Sequence, residues 1–82
     1  MRVVLFTGKN CKACPAMKET LKKAKIEYDE IDTGLPRGQN LAQKYYIKSL
    51  PTLIIFDEAV PIKTYIGSIP FSKVMEIKKK YL

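Results

Sequence analysis

"RVVLFTGKNCKACPAMKETLKKAK" occupies residues 2–25, and its two halves follow different periods. Residues 2–6, RVVLF, are an unbroken apolar run rich in β-branched and aromatic side chains, the pattern of a short strand covered on both faces. TGKN then breaks the run. From Lys12 to Lys25 the period is helical: Ala13, Met17, Leu21 and Ala24 recur on one side, and Lys18, Lys22, Lys23 and Lys25 are expected to face away. Glu19, four residues before Lys23, adds slight helical support. Both cysteines of the chain, Cys11 and Cys14, fall on this strand-to-helix junction.

Working outward, IEYDEID (26–32) reads as a second strand, although Ile31 breaks register with Ile26 and Tyr28. A strand–helix–strand unit this short normally closes as a right-handed parallel crossover. TGLPRG (33–38) reads as a loop, and QNLAQKYY (39–46) as a short helix burying Leu41 and Tyr45. PTLIIF (51–56) is another buried strand. DEA (57–59) turns the chain, and VPIKTYI (60–66) follows with Ile62, Thr64 and Ile66 on one face. Pro61 suits an edge strand, where a missing donor is tolerated. A last helix is predicted over 71–81, with Phe71, Val74, Met75 and Leu82 on its apolar side. Pro70 suits its start, and Lys78, Lys79 and Lys80 suit the negative end of its dipole. The order is β-α-β-α-β-β-α, an α/β pattern in one domain, 1–82, with no internal repeat or linker.

Composition narrows the function classes. With 46% apolar and 28% charged residues the chain has a globular balance rather than a disordered one. Its longest apolar runs, VVLF and LIIF, are four residues each, far short of a bilayer span. No basic stretch and apolar segment precede RVVLF, so the expected location is cytoplasmic, where cysteines stay reduced unless they do redox work or bind metal. The formal charge of +7 admits a nucleic-acid partner. Most of the lysines, however, lie in the two helix-like stretches 18–25 and 73–80. No aromatic–basic interleaving of the single-strand-binding kind is present. The charge reads as solvated helix faces, so no nucleic-acid or membrane partner is expected.

The cysteine pair carries the chemistry. A helix N-terminus offers free N–H groups and about half a positive charge, which favours a thiolate. Lys9 and Lys12 stand close enough in sequence to lower the Cys11 pKa further. Cys14 lies about one helical turn on and further in, within reach of the Cys11 sulfur. In a redox reading Cys11 attacks and Cys14 resolves the mixed disulfide. A static staple would close a very short loop and stabilise little. A closed zinc site needs four ligands, and this chain has two cysteines and no histidine. A Cu(I) or zinc thiolate carrier is the rival from another class, since copper chaperones also place C-x-x-C after a first strand. Their order ends on a strand, and the methionine they carry before the first cysteine is absent, that stretch being Lys9-Asn10. Pro15 costs little within a first helical turn, so the regular helix is expected to begin after Cys11.

Residues 40–67, NLAQKYYIKSLPTLIIFDEAVPIKTYIG, decide between these readings. An isoleucine, then Pro-Thr before an apolar run, a hairpin and a closing glycine resemble the second half of a thioredoxin. With Cys11-Lys12-Ala13-Cys14 the resemblance covers almost the whole chain. It implies the thioredoxin fold: a four-stranded mixed sheet in order 2-1-3-4, with three flanking helices, two on one face and one on the other. It also implies a cis Leu50–Pro51 bond packed against the cysteines, and a groove in which Leu50 pairs with substrate backbone beside Thr52 and Gly67.

The resemblance implies a protein-disulfide reductase, a monomer with no cofactor beyond its own redox disulfide and no metal. Its partners would be disulfide-containing protein substrates and a flavin-containing thioredoxin-type reductase. Glutathione is the alternative electron source. The chain departs from full-size thioredoxins in lacking their first strand and helix, their tryptophan before the motif and Gly-Pro within it. Their buried aspartate is replaced by Leu5, which leaves the proton acceptor for Cys14 unnamed. The short length resembles glutaredoxins, but their Gly-Gly and acidic residue after the last hairpin are here Gly67-Ser68 with no acid following. Arg37 and Lys9 are the basic residues that could meet a glutathione carboxylate.

Overall fold

A computed structural model describes residues 1–82. Its elements are β1 (Arg2–Thr7), α1 (Cys14–Lys23), β2 (Asp29–Asp32), α2 (Pro36–Lys44), β3 (Thr52–Asp57), β4 (Val60–Ile66) and α3 (Phe71–Tyr81). The sheet order is β2-β1-β3-β4; β1 runs parallel to β2, antiparallel to β3, and β3 antiparallel to β4.

The continuous apolar runs have a simple cause. β1 and β3 are the two central strands, so both of their faces are covered. Val3, Leu5, Leu53 and Ile55 point to one side, where they meet Met17 and Leu21 of α1 and Val74 and Ile77 of α3. Phe6, Ile54 and Phe56 point to the other, against Leu41 and Tyr45 of α2 and its flank. The second cluster is held partly by aromatic edges: Tyr45 meets Phe56 at 5.3 Å and Phe6 at 6.5 Å between ring centroids. Two helices therefore cover one face and one covers the other.

The bounds of α1, β2 and α2 differ from the sequence reading, each for a local reason. Helix α1 starts at Cys14, not Lys12, with Ala13 as its cap and Pro15 in the first turn. It ends in a Schellman closure: Lys25 takes a left-handed φ of 56°, its N–H donates to Lys22, and the Ile26 N–H donates to Leu21. That closure spends residues 24–26, and Ile26 drops into the main core, so β2 pairs with β1 only from Asp29. Helix α2 starts at Pro36, inside the expected loop, because proline suits the first helical position. It ends in a second Schellman closure at Tyr46, φ 57°. Leu41 and Tyr45 are half-buried rather than buried.

Two expected faces turn out differently. On α3 the buried stripe is Val74 and Ile77, with Tyr81 packed beside them, whereas Phe71, Met75 and Leu82 are exposed. On β4 the Ile62–Thr64–Ile66 face lies open, Ile66 being 70% exposed, because α2 does not reach this edge. Tyr65, on the opposite face, packs on the main core instead. Pro61 lies at the register shift of this edge strand, where no ladder donor is required. No helix is long and apolar enough to cross a membrane.

Candidate functional site

β1 ends at Thr7, and residues 8–13 carry the chain from the sheet edge to the head of α1. The Cys11 N–H donates to the Gly8 carbonyl at 3.2 Å, which curls this connection and turns Cys11 back toward the helix. Cys14 is the first helical residue. The Cys11 and Cys14 sulfurs are bonded at 2.08 Å, with their Cα atoms 5.5 Å apart. The two ends of the bond differ: Cys11 is half-buried, whereas Cys14 is only 2% exposed. No side chain caps α1 and no acid stands in its first turn, and the N–H groups of Cys14 and Ala16 have no acceptor in the chain. A thiolate released here would meet unpaired donors at the positive end of the helix dipole.

The second loop closes over the first. The Leu50–Pro51 peptide bond is cis, and Pro51 is fully buried ahead of β3. Leu50 leans on Gly8: a Cβ added to Gly8 would lie 2.5 Å from Leu50 Cδ1. Neither the Leu50 N–H nor its C=O has a hydrogen-bond partner within the chain. The Thr52 hydroxyl, buried, donates to the Ser49 carbonyl at 2.6 Å and so closes the loop that carries Leu50. The Gly67 N–H donates to the Pro51 carbonyl at 2.8 Å, and its φ of 85° marks the end of β4. Leu50, Pro51, Thr52 and Gly67 are thus one bonded group, joined to the cysteine loop through Gly8.

A cavity of about 620 Å³ opens beside the disulfide, and both cysteines line it. Lys9 borders it; Lys12 is exposed and does not line it. Arg37 lies on α2, outside this cavity, so it is not brought together with Lys9. Lys18, expected to face away, instead turns into the cavity. Its ammonium meets the Glu30 carboxylate at 3.0 Å, and the Thr7 hydroxyl donates to the same carboxylate at 2.9 Å. The Lys18 hydrogen bond, helped by that of Thr7 and opposed by partial burial, holds the Glu30 carboxyl below its ordinary range. The same hydrogen bond raises Lys18. The sequence reading turns Lys18 to solvent and gives Glu30 no role. The available signal was spacing: Lys18 is four residues after Cys14, on the same helix face. No group of three or more histidine, cysteine, aspartate or glutamate side chains converges as a metal cage.

The chain is similar to known proteins in sequence and in fold. The glutaredoxin family profile matches residues 3–60. The chain is 32% identical over 65 residues to the M-type chloroplastic thioredoxin of Chlamydomonas reinhardtii, a match spanning 79% of this chain and 41% of that protein. It is 26% identical to a thioredoxin of Staphylococcus aureus, across 100% of this chain and 83% of the relative. Among solved structures, thioredoxin 1 of Thermosipho africanus superposes with a TM-score of 0.77 at 24% identity, covering 99% of this chain and 93% of that one. The malaria parasite thioredoxin-2 superposes at 0.84 and 24% identity, covering 96% and 81%. At such identities these structures establish the shared fold. The family match takes in the strand, the C-x-x-C junction and the Pro-Thr strand together, and the chain belongs to the glutaredoxin family as a thiol–disulfide oxidoreductase built on the thioredoxin fold.

Proposed function

We propose that residues 1–82 act as one thioredoxin-like domain that reduces protein disulfides, with Cys11 as nucleophile and Cys14 as resolving thiol. The observation that carries this reading is the unequal exposure of the two sulfurs: a partner can reach Cys11, and Cys14 is within bonding distance but buried. The Cys11 thiolate attacks one sulfur of the partner disulfide, and the other leaves as a thiolate and takes a proton. Cys14 then gives up its proton and attacks the Cys11 sulfur. The Cys11–Cys14 bond forms, the mixed disulfide breaks, and the second partner sulfur leaves and is protonated. Two electrons and two protons pass to the partner.

The unpaired N–H and C=O of Leu50 suit an extended substrate segment laid beside the cysteines as an added strand. Pro51, Thr52 and Gly67 hold Leu50 in place through the Thr52–Ser49 and Gly67–Pro51 hydrogen bonds. Of the two lysines offered to tune Cys11, Lys9 borders the cavity that Cys11 lines and Lys12 does not. A flavin-containing thioredoxin-type reductase or glutathione returns the electrons, and reduction as the working direction suits the cytoplasm.

Insulin-disulfide reduction, assayed with each donor in turn, tests the reading. Cys11→Ser is expected to abolish turnover with either donor. Cys14→Ser is expected to accumulate a covalent mixed disulfide, seen as a mass adduct that a small thiol removes. Normal turnover by Cys14→Ser would refute the resolving role.

A further inference from the structure

We propose that Glu30 and Lys18 handle the proton of Cys14 in the resolving step, Glu30 as its acceptor and Lys18 as the counter-ion of the thiolate that remains. This rests on the reading of Cys14 as the resolving thiol.

A buried thiol is poorly ionised, because burial disfavours the anion. Cys14 is 2% exposed, so its attack on Cys11 needs a base and a counter-charge. The chain has no histidine. Leu5, fully buried in the main core, offers no base from β1. The cavity that both cysteines line contains two carboxylates, Glu30 and Asp32. Glu30 is the one held on both sides, by the Lys18 ammonium at 3.0 Å and the Thr7 hydroxyl at 2.9 Å. The register places Glu30 opposite Leu5, on the sheet face that α1 covers. Lys18 stands one helical turn after Cys14 and reaches into the same cavity. The other charged or titratable groups that face the pair are Lys9 from the β1–α1 connection, Asp32 from β2, Tyr28 from the segment before β2, and Arg37 from α2.

The energetic argument is one of charge. When a solvent molecule in the cleft relays the Cys14 proton to Glu30, a thiol and a carboxylate become a thiolate and a carboxylic acid. The net charge of Cys14, Glu30 and Lys18 is the same before and after, and Lys18 exchanges one anionic partner for another. Ionising Cys14 without this exchange would add a lone charge to a buried position, which is far more costly. The thiolate then attacks the Cys11 sulfur, the bond from Cys11 to the partner breaks, and the departing partner thiolate takes the proton that Glu30 held. Glu30 is a carboxylate at neutral pH, and although the Lys18 hydrogen bond holds its proton affinity down, that affinity rises as Lys18 turns from it to the Cys14 thiolate. A base positioned directly or through one water contributes about 100-fold or more in such transfers.

The test separates the two sulfur steps. The reduced protein is mixed with one equivalent of the chromogenic disulfide dithiobis(nitrobenzoate). Attack by Cys11 releases one coloured thiolate in a bimolecular phase, and resolution by Cys14 releases the second in a first-order phase. For Glu30→Gln, the second phase is expected to slow by at least about tenfold at neutral pH. The first should stay within about twofold, and the second should recover steadily as pH rises and hydroxide replaces the missing base. Lys18→Met serves as an independent variant and should depress the ratio of second to first rate in the same way. An unchanged second phase and pH profile, or equal slowing of both phases, would overturn the proposal. A wild-type protein that releases only one equivalent would instead refute the resolving role of Cys14, so the two failures are distinguishable.

Discussion

Placing a methyl group on Gly8 would test whether the two loops of the site act as one unit. An alanine Cβ there would lie 2.5 Å from Leu50 Cδ1 and 3.2 Å from Thr33 Oγ1. Carbon atoms prefer about 3.5–4.0 Å, so one neighbour must give way by about 1 Å. The chain of β1 is fixed by its ladders on both sides, whereas Leu50 Cδ1 is the end of a side chain that can rotate. A leucine pushed off its rotamer costs about 0.5–1.5 kcal/mol. A loss of about 1 kcal/mol would lower Tm by about 4–8 °C in a domain of this size. Alanine also restricts the unfolded chain, which offsets part of this by about 0.4–1 kcal/mol. The single variant is therefore a weak witness, and a double-mutant cycle with Leu50→Ala is the decisive measurement. Without Cδ1 the added methyl has room, so Gly8→Ala should be about 1 kcal/mol less costly in the Leu50→Ala background, beyond the roughly 0.3–0.5 kcal/mol scatter of independent sites. Urea melts of the four proteins give that number. Insulin reduction by Gly8→Ala should also fall, by up to about 100-fold if Leu50 is displaced by 1 Å beside the cysteines. Additive stabilities within about 0.3 kcal/mol would mean that Leu50 does not rest on Gly8 as described.

Three further outcomes follow from the packing and the ion pair. Gly38→Ala would drive a Cβ into the Asp32 carbonyl oxygen, backbone that cannot rotate away, and should destabilise the fold by at least about 1–3 kcal/mol in denaturant melts. Lys25→Gly should do the opposite, because Lys25 holds a left-handed φ of 56°; relief of about 1 kcal/mol should raise Tm by several degrees. Glu30 is lowered chiefly by the Lys18 hydrogen bond, so its contribution is present above the ordinary carboxyl value of 4.5 and is lost as pH falls through its lower folded value. Acid melts of Glu30→Gln should accordingly be flatter over that window than those of the wild type. The difference should shrink in high salt, because the pair is partly open to solvent. A wild-type acid profile that the substitution leaves unchanged would show that the pair does not form in solution.

The sequence was most readable where a structure depends on residues near one another in the chain. RVVLF and TLIIF are unbroken because each central strand has two covered faces, and such a run has no other economical fate in a chain this short. Cys11 and Cys14 are three positions apart at a change of period, so their meeting is a local matter. The face of α3 was less readable. Val74 belongs to two apolar stripes, one through Phe71 and Met75 and one through Ile77 and Tyr81, and periodicity gives the phase of neither against the sheet. Docking beside α1 selected the second, leaving Phe71 and Met75 to solvent.

By itself, then, the sequence determined the order of elements, the two-sided burial of β1 and β3, and the position of the redox pair, because hydrophobic periodicity and short spacing act before any distant contact forms. Tertiary structure alone decided that Lys18 meets Glu30 beside Cys14 and that Leu50 covers Gly8. Those partners are 12 and 42 residues apart, and a charge or a leucine carries no mark of its partner until the parallel crossover and the buried Pro51 loop bring them within a few ångströms.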